Sequence, residues 1–186
     1  MTATESIVAE EQLLDAAERL FYAKSVQGVG MDELRAESGV PLKRMYQLHP
    51  GKEDIVLAVL RRQDVRWRGR LTAHVERVED PVKRVAALFD WLHEWFAEPG
   101  FRGSAWTNAF GELGGTTPAV ADEVRAHQDA FRGFVLDLVG EAGGSRSAGR
   151  AIFLLAEGAM VAAAVDGSPK AAKHARKAAQ ALLADL

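Results

Sequence analysis

Apolar positions recur at helical spacing along nearly the whole chain. Leu13, Leu14, Ala17, Leu20 and Phe21 stand at i, i+1, i+4, i+7 and i+8, so residues from about 5 to 24 are predicted to form an amphipathic helix. The two glycines of SVQGVG (25–30) end it. MDELRAES (31–38) predicts a short helix with Asp32 and Glu33 in its first turn, where the macrodipole favours acids. Gly39 suits a left-handed turn, because it has no Cβ to clash. LKRMYQL (42–48) predicts a second short helix, which Pro50-Gly51 stops. Lys52 to about Gly69 predicts a long helix with Val56, Leu60, Trp67 and Leu71 on one face. Its length would be roughly 27 Å at the usual rise.

Further on, Asp80-Pro81, Thr117-Pro118 and Ser168-Pro169 each set a capping oxygen before a proline that needs no N–H. They predict helices at about 81–98, 118–141 and 169–185. Helices within about 104–113 and at about 147–165 complete the set, and EAGGSRSAG (141–149) is the most loop-like segment. The sequence contains no strand-period run, internal repeat or low-complexity tract. The expected fold is all-α with about nine helices.

Composition narrows the function. The chain has 186 residues and a net charge of −3, so any contact with a polyanion must come from a local patch. It has no cysteine, which excludes disulfides, thiolate zinc sites and a cysteine nucleophile and fits a reducing compartment. MTATESIVAEEQ is acidic, unlike the basic start of a signal peptide. The longest apolar stretch, near 151–165, is interrupted by Glu157 and reads as too short and broken to cross a bilayer. A cytoplasmic protein with no membrane partner is expected.

One stretch departs from the acidic average. Pro41 to Lys52 carries three cations and no carboxylate. Around it, three short helices share candidate core residues Leu20, Phe21, Leu34, Val40, Met45 and Tyr46, with a tight glycine turn between the second and third. That is the arrangement of a helix-turn-helix, whose second helix enters the major groove. Lys43 and Arg44 sit near the start of that helix, and Gln47 lies one turn on. Lysine and arginine can read guanine, and glutamine can read adenine. Lys52 opens the next helix, where charge and free N–H groups can meet a phosphate. The same pattern fits a solvated basic turn between packed helices.

LLDAAERLF…GVGMDELRAESGVPLKRMYQLHPGKEDIVLAVL (13–60) resembles the DNA-binding domain of TetR-family bacterial transcriptional regulators. The likeness runs through Leu14, Ala16, Ala17, Leu20 and Phe21, through Met31–Leu34, Ala36, Gly39-Val40 and Met45-Tyr46, and into Pro50–Glu53. It implies a DNA-binding domain at 1–51 and a ligand-binding and dimerisation domain at 52–186, linked by the helix at 52–69. It also implies base or phosphate contacts from Lys43, Arg44 and Gln47, and phosphate contacts from Tyr46 and Lys52. The family usually has Ser or Thr where Gly30 offers only its N–H. Pro41 stands for the usual Ser, Lys43 for a small residue and His49 for Phe.

The later helices suggest where an effector would bind. Helix 81–98 is apolar nearly all round, with Phe89, Trp91, Leu92, Trp95 and Phe96. Around it Trp67, Trp106, Phe110, Phe131, Phe134 and Met160 either fill a core or line a cavity for an apolar or aromatic ligand. Asn108, His93, His127 and Glu157 are the polar groups that would orient it. Glu157 interrupts AIFLLAEGAMVAAAV, and a buried carboxylate needs a partner or a raised pKa. Small residues at 156, 158, 159 and 162–164 permit close helix packing, and the resemblance implies a four-helix dimer interface there with helix 169–185. The arginines at 61, 62, 66, 68 and 70 are expected to pair with acids of the C-terminal domain. The histidines form no H-x3-H or HExxH, and no nucleophile–base set is present. The expectation is a non-enzymatic homodimer with no cofactor or metal. It would be released from a palindromic double-stranded operator by a small-molecule effector. A constitutive dimeric DNA-binding protein and a small helical enzyme are the alternatives.

Overall fold

Nine helices and no strands occur among the described residues, 3–184, of the computed structural model. They are α1 (Ala3–Lys24), α2 (Met31–Ser38), α3 (Leu42–Leu48), α4 (Lys52–Val75), α5 (Pro81–Phe96), α6 (Ala105–Leu113), α7 (Pro118–Glu141), α8 (Arg146–Asp166) and α9 (Lys170–Leu182). α4 runs six residues past the expected Gly69. Leu71 and Val75 continue its buried stripe, which outweighs the weak helix propensity of one exposed glycine. α5 stops at Phe96 rather than 98. The expected end of the last helix, residue 185, lies outside the described residues.

The chain forms two compact units. One gathers the chain up to Asp64 with Ala105–Arg125, and the other gathers Val65–Ser104 with the chain from Ala126 onward. The first half of α4 belongs with α1–α3, because Ile55, Val56, Val59 and Leu60 are buried, and three of them face Phe21 and Tyr22 across a void of about 40 Å³.

In the first unit, Leu13, Leu34, Met45 and Ile55 are fully buried. Gly39 takes φ 70° and returns its N–H to the Arg35 carbonyl, which turns α2 into α3. Tyr46, expected in the shared core, is 47% exposed instead, and Met45 alone anchors the middle of α3. Arg62 does not pair with acids of the later helices. Its guanidinium meets three carboxylates of α1, Glu11 at 3.3 Å, Asp15 at 2.8 Å and Glu18 at 2.7 Å. Arg61 bonds Glu123 of α7 at 2.8 Å, still inside this unit.

In the second unit, α5 is buried nearly all round, as its composition requires. Asp80 caps it by accepting from the N–H groups of Val82 and Lys83. The bond from the Lys83 amide does most to hold its carboxyl below the usual value. α5 is fastened to α9 by Arg176–Asp90 at 2.8 Å and by His93 Nδ1 at 2.9 Å from the Pro169 carbonyl. α8 has 21 residues, so the expectation that this stretch is too short to cross a membrane is wrong on length. Ile152, Phe153, Ala156, Ala159, Met160 and Ala163 nevertheless bury one face of it within the unit.

Candidate nucleic-acid interface and aromatic cluster

Pro41 begins α3 with φ −59° and ψ 141°, and its carbonyl receives the N–H of Arg44 at 2.8 Å and of Met45 at 3.0 Å. Proline already holds the φ this turn needs, although it offers no side-chain cap. With Met45 fully buried, Lys43, Tyr46 and Gln47 stand exposed. Lys43 and Gln47 are four residues apart and share a face.

Arg44 and Lys52, by contrast, are engaged inside the unit. Arg44 is half-buried, donating to the Ser6 hydroxyl of α1 at 2.6 Å and to Gln47 Oε1 at 3.1 Å. It ties α3 to α1 rather than pointing out alone. Lys52 is also half-buried, and its ammonium donates to the carbonyls of Val26 and Val29 at 3.1 Å each. The Gly51 N–H is taken by Asp54 at 2.9 Å. At the start of α4, Glu53 and Asp54 add negative charge beside Lys52. Gly30 caps α2 with φ −91° and no side-chain bond, and it is exposed. His49 ends α3 and is 8% exposed, with Nε2 3.5 Å from a Glu10 carboxylate oxygen of α1. Ser6, Glu10 and the α1–α2 loop carbonyls escaped sequence reasoning, because nothing in their spacing marks partners 23 to 39 residues away.

In the second unit Trp67 stands edge-on to four rings, with centroids 5.2 Å to Trp91, 5.5 Å to Trp95, 5.2 Å to His127 and 5.1 Å to Phe131. Phe131 continues to Phe153 at 5.6 Å, and Arg132 lies over Phe153. Glu157, one turn past Phe153 on α8, accepts from Gln128 Nε2 at 3.0 Å. Burial raises the Glu157 carboxyl above its usual range, against the smaller opposing effect of that bond. Met160 is buried on the same helix. The remaining expected ligand residues, Trp106, Asn108 and Phe110, lie on α6 in the first unit, with Trp106 buried and Phe110 and Asn108 exposed. His93 is occupied by its contact with Pro169. Among the described residues, no three His, Asp or Glu side chains gather as a metal site needs.

Comparison with known proteins agrees with this geometry. Residues 13–59 match the family of bacterial regulatory proteins, tetR family. A TetR-family transcriptional regulator from Streptomyces coelicolor is 30% identical, with a TM-score of 0.89 over 96% of each chain. A TetR regulator from Chloroflexus aurantiacus shares the fold, with a TM-score of 0.84 at 21% identity over 97% of this chain and 96% of that one. The HTH-type transcriptional regulator LmrA of Bacillus subtilis is 29% identical over 85 residues, and the match spans only 45% of each chain. This chain is a helix-turn-helix protein by its α2–turn–α3 geometry. It belongs to the TetR family of transcriptional regulators.

Proposed function

We propose that this chain is a dimeric, effector-responsive repressor that binds a palindromic operator and is not an enzyme. The observation that carries the reading is the exposed face of α3, where Lys43, Tyr46 and Gln47 stand out from the buried Met45. In that role Lys43 and Gln47 read base edges, and the Tyr46 hydroxyl bonds a phosphate. Gly30 brings the open N-terminus of α2 to a second phosphate. Arg44 and Lys52 act chiefly by holding α3 and the α1–α2 loop in place. Residues 1–51 then serve DNA binding, and the helices from 52 onward serve the effector and the second subunit. The place of action is the cytoplasm.

Dimerisation is supported by an apolar stripe on α8. Leu154, Val161 and Val165 are 67, 53 and 79% exposed, and Gly158 lies between them at helical spacing. A groove of about 580 Å³ between α8 and α9 adjoins it, floored by Ala159, Ala162 and Ala175. A two-fold pair presents two recognition helices to two half-sites, which is why a palindrome is expected.

For the effector, the rings around Trp67 and the half-buried Glu157 supply an apolar site with one polar handle. An effector relieves repression only by binding one arrangement of the recognition helices better than another. The close ring-to-ring packing favours a second reading, a filled core in a constitutive DNA-binding dimer.

Selection of bound sequences from random duplex DNA tests the proposal. Enrichment of a palindrome is expected, and no enriched sequence would overturn it. Apolar and aromatic compounds are then screened for release of the selected duplex. Release by none of them, with binding intact, favours the constitutive reading.

A further inference from the structure

The α1–α2 loop, which delivers Gly30 to the start of α2, is gripped from α6. The main-chain N–H of Gln27 donates to the Glu112 carboxylate at 2.9 Å, and the Gln27 side-chain amide donates to the Glu112 carbonyl at 3.0 Å. The two residues are 85 positions apart and lie in the same compact unit. Each bond answers a specific need. Glu112 sits in the last turn of α6, where the last carbonyls have no helical partner and a negative charge opposes the macrodipole. Gln27 satisfies that carbonyl, and its N–H offsets that charge. The other side of the loop is held by Lys52 through Val26 and Val29. Gly28 allows the close turn, since a Cβ there would lie 2.5 Å from the Lys24 carbonyl oxygen.

We infer that Glu112 and Gln27 are positioning residues for DNA recognition. They set the α1–α2 loop and the N-terminus of α2 from α6, so that a displacement of α6 is transmitted to the DNA-contacting face without passing through α4. This rests on the DNA-binding reading above. It adds that α6 carries a direct route to the interface.

The test uses the full chain and a duplex selected by the wild type. Glu112→Ala and Gln27→Ala each remove one bond of the pair, while Glu112→Gln keeps an acceptor for the loop N–H. The expected result is about tenfold weaker binding for both alanine variants. Glu112→Gln stays within about threefold of the wild type, and the double alanine variant falls little below either single one. Amide exchange at Gln27 to Gly30 speeds up in Glu112→Ala while the melting temperature holds. Wild-type affinity in both alanine variants would overturn the inference. So would losses that track melting temperature and afflict Glu112→Gln equally, because that is a merely structural role. A wild type that selects no duplex would instead overturn the DNA-binding reading itself.

Discussion

The guanidinium of Arg44 on α3 donates to the hydroxyl of Ser6 on α1 at 2.6 Å. The pair joins the recognition helix to the first helix across 38 residues of sequence. Ser6→Ala should lower stability by about 1 kcal/mol, the usual worth of such a bond. Arg44→Ala should cost about 2 kcal/mol, because the bond to Gln47 and the packing of the stem are lost too. Urea unfolding of the two variants checks the ranking, and wild-type stability in Arg44→Ala would contradict it.

Arg62 holds α4 against α1 through three carboxylates, yet its own side chain is only 12% exposed. Removing it leaves Glu11, Asp15 and Glu18 facing one another. Arg62→Ala should destabilise by about 2 kcal/mol, less than for a fully buried pair because the carboxylates reach water. Part of that loss should be recovered by adding Glu18→Gln, read from the melting temperatures of the single and double variants.

Glu157 makes stability depend on pH. Its folded pKa lies above the unfolded one, so the folded state holds a proton that the unfolded state releases between the two values. Stability therefore falls as pH rises through that window, and the penalty is fully present above it. Glu157→Gln should be more stable than the wild type at pH 7, with the gap closing below the ordinary carboxylate pKa. Melting temperatures of both proteins from pH 4 to 7 should converge at the acid end.

Gly30 leaves α2 without a side-chain cap although a Cβ there would meet nothing within 4 Å. Its φ of −91° suits any residue. Gly30→Ser should therefore raise stability by a few tenths of a kcal/mol. On a selected duplex it should bind at least as tightly as the wild type, since a hydroxyl is added beside the phosphate position. Chemical unfolding and a duplex titration measure the two effects separately.

The helices were legible because their punctuation is local. Asp80-Pro81 and Thr117-Pro118 mark where α5 and α7 begin, and the bounds of α2 and α3 follow from Gly39 and Pro50. The outward face of α3 was legible for Lys43 and Gln47, since helical spacing sets their direction once Met45 is inside. Tyr46 has the aromatic character of a core residue, but its position next to Met45 turns it outward. The bonds of Arg44, Lys52 and Glu112 are not legible, because each depends on a partner brought close only by folding. Only composition joins the aromatic and polar residues expected to form one ligand set. Folding distributes them over two units, and Trp67 meets only some of them.

Two exposed lysines separate recognition from charge. Lys43 stands on α3 and Lys173 on α9, and replacing either with alanine changes the net charge equally. The affinities of the two variants for a duplex selected by the wild type, measured at one fixed salt concentration, test the central claim most directly. Lys43→Ala should bind at least about tenfold more weakly, and Lys173→Ala should stay within about twofold of the wild type. Equal losses in the two variants, or wild-type affinity in Lys43→Ala, would contradict the assignment of α3 as the element that reads DNA.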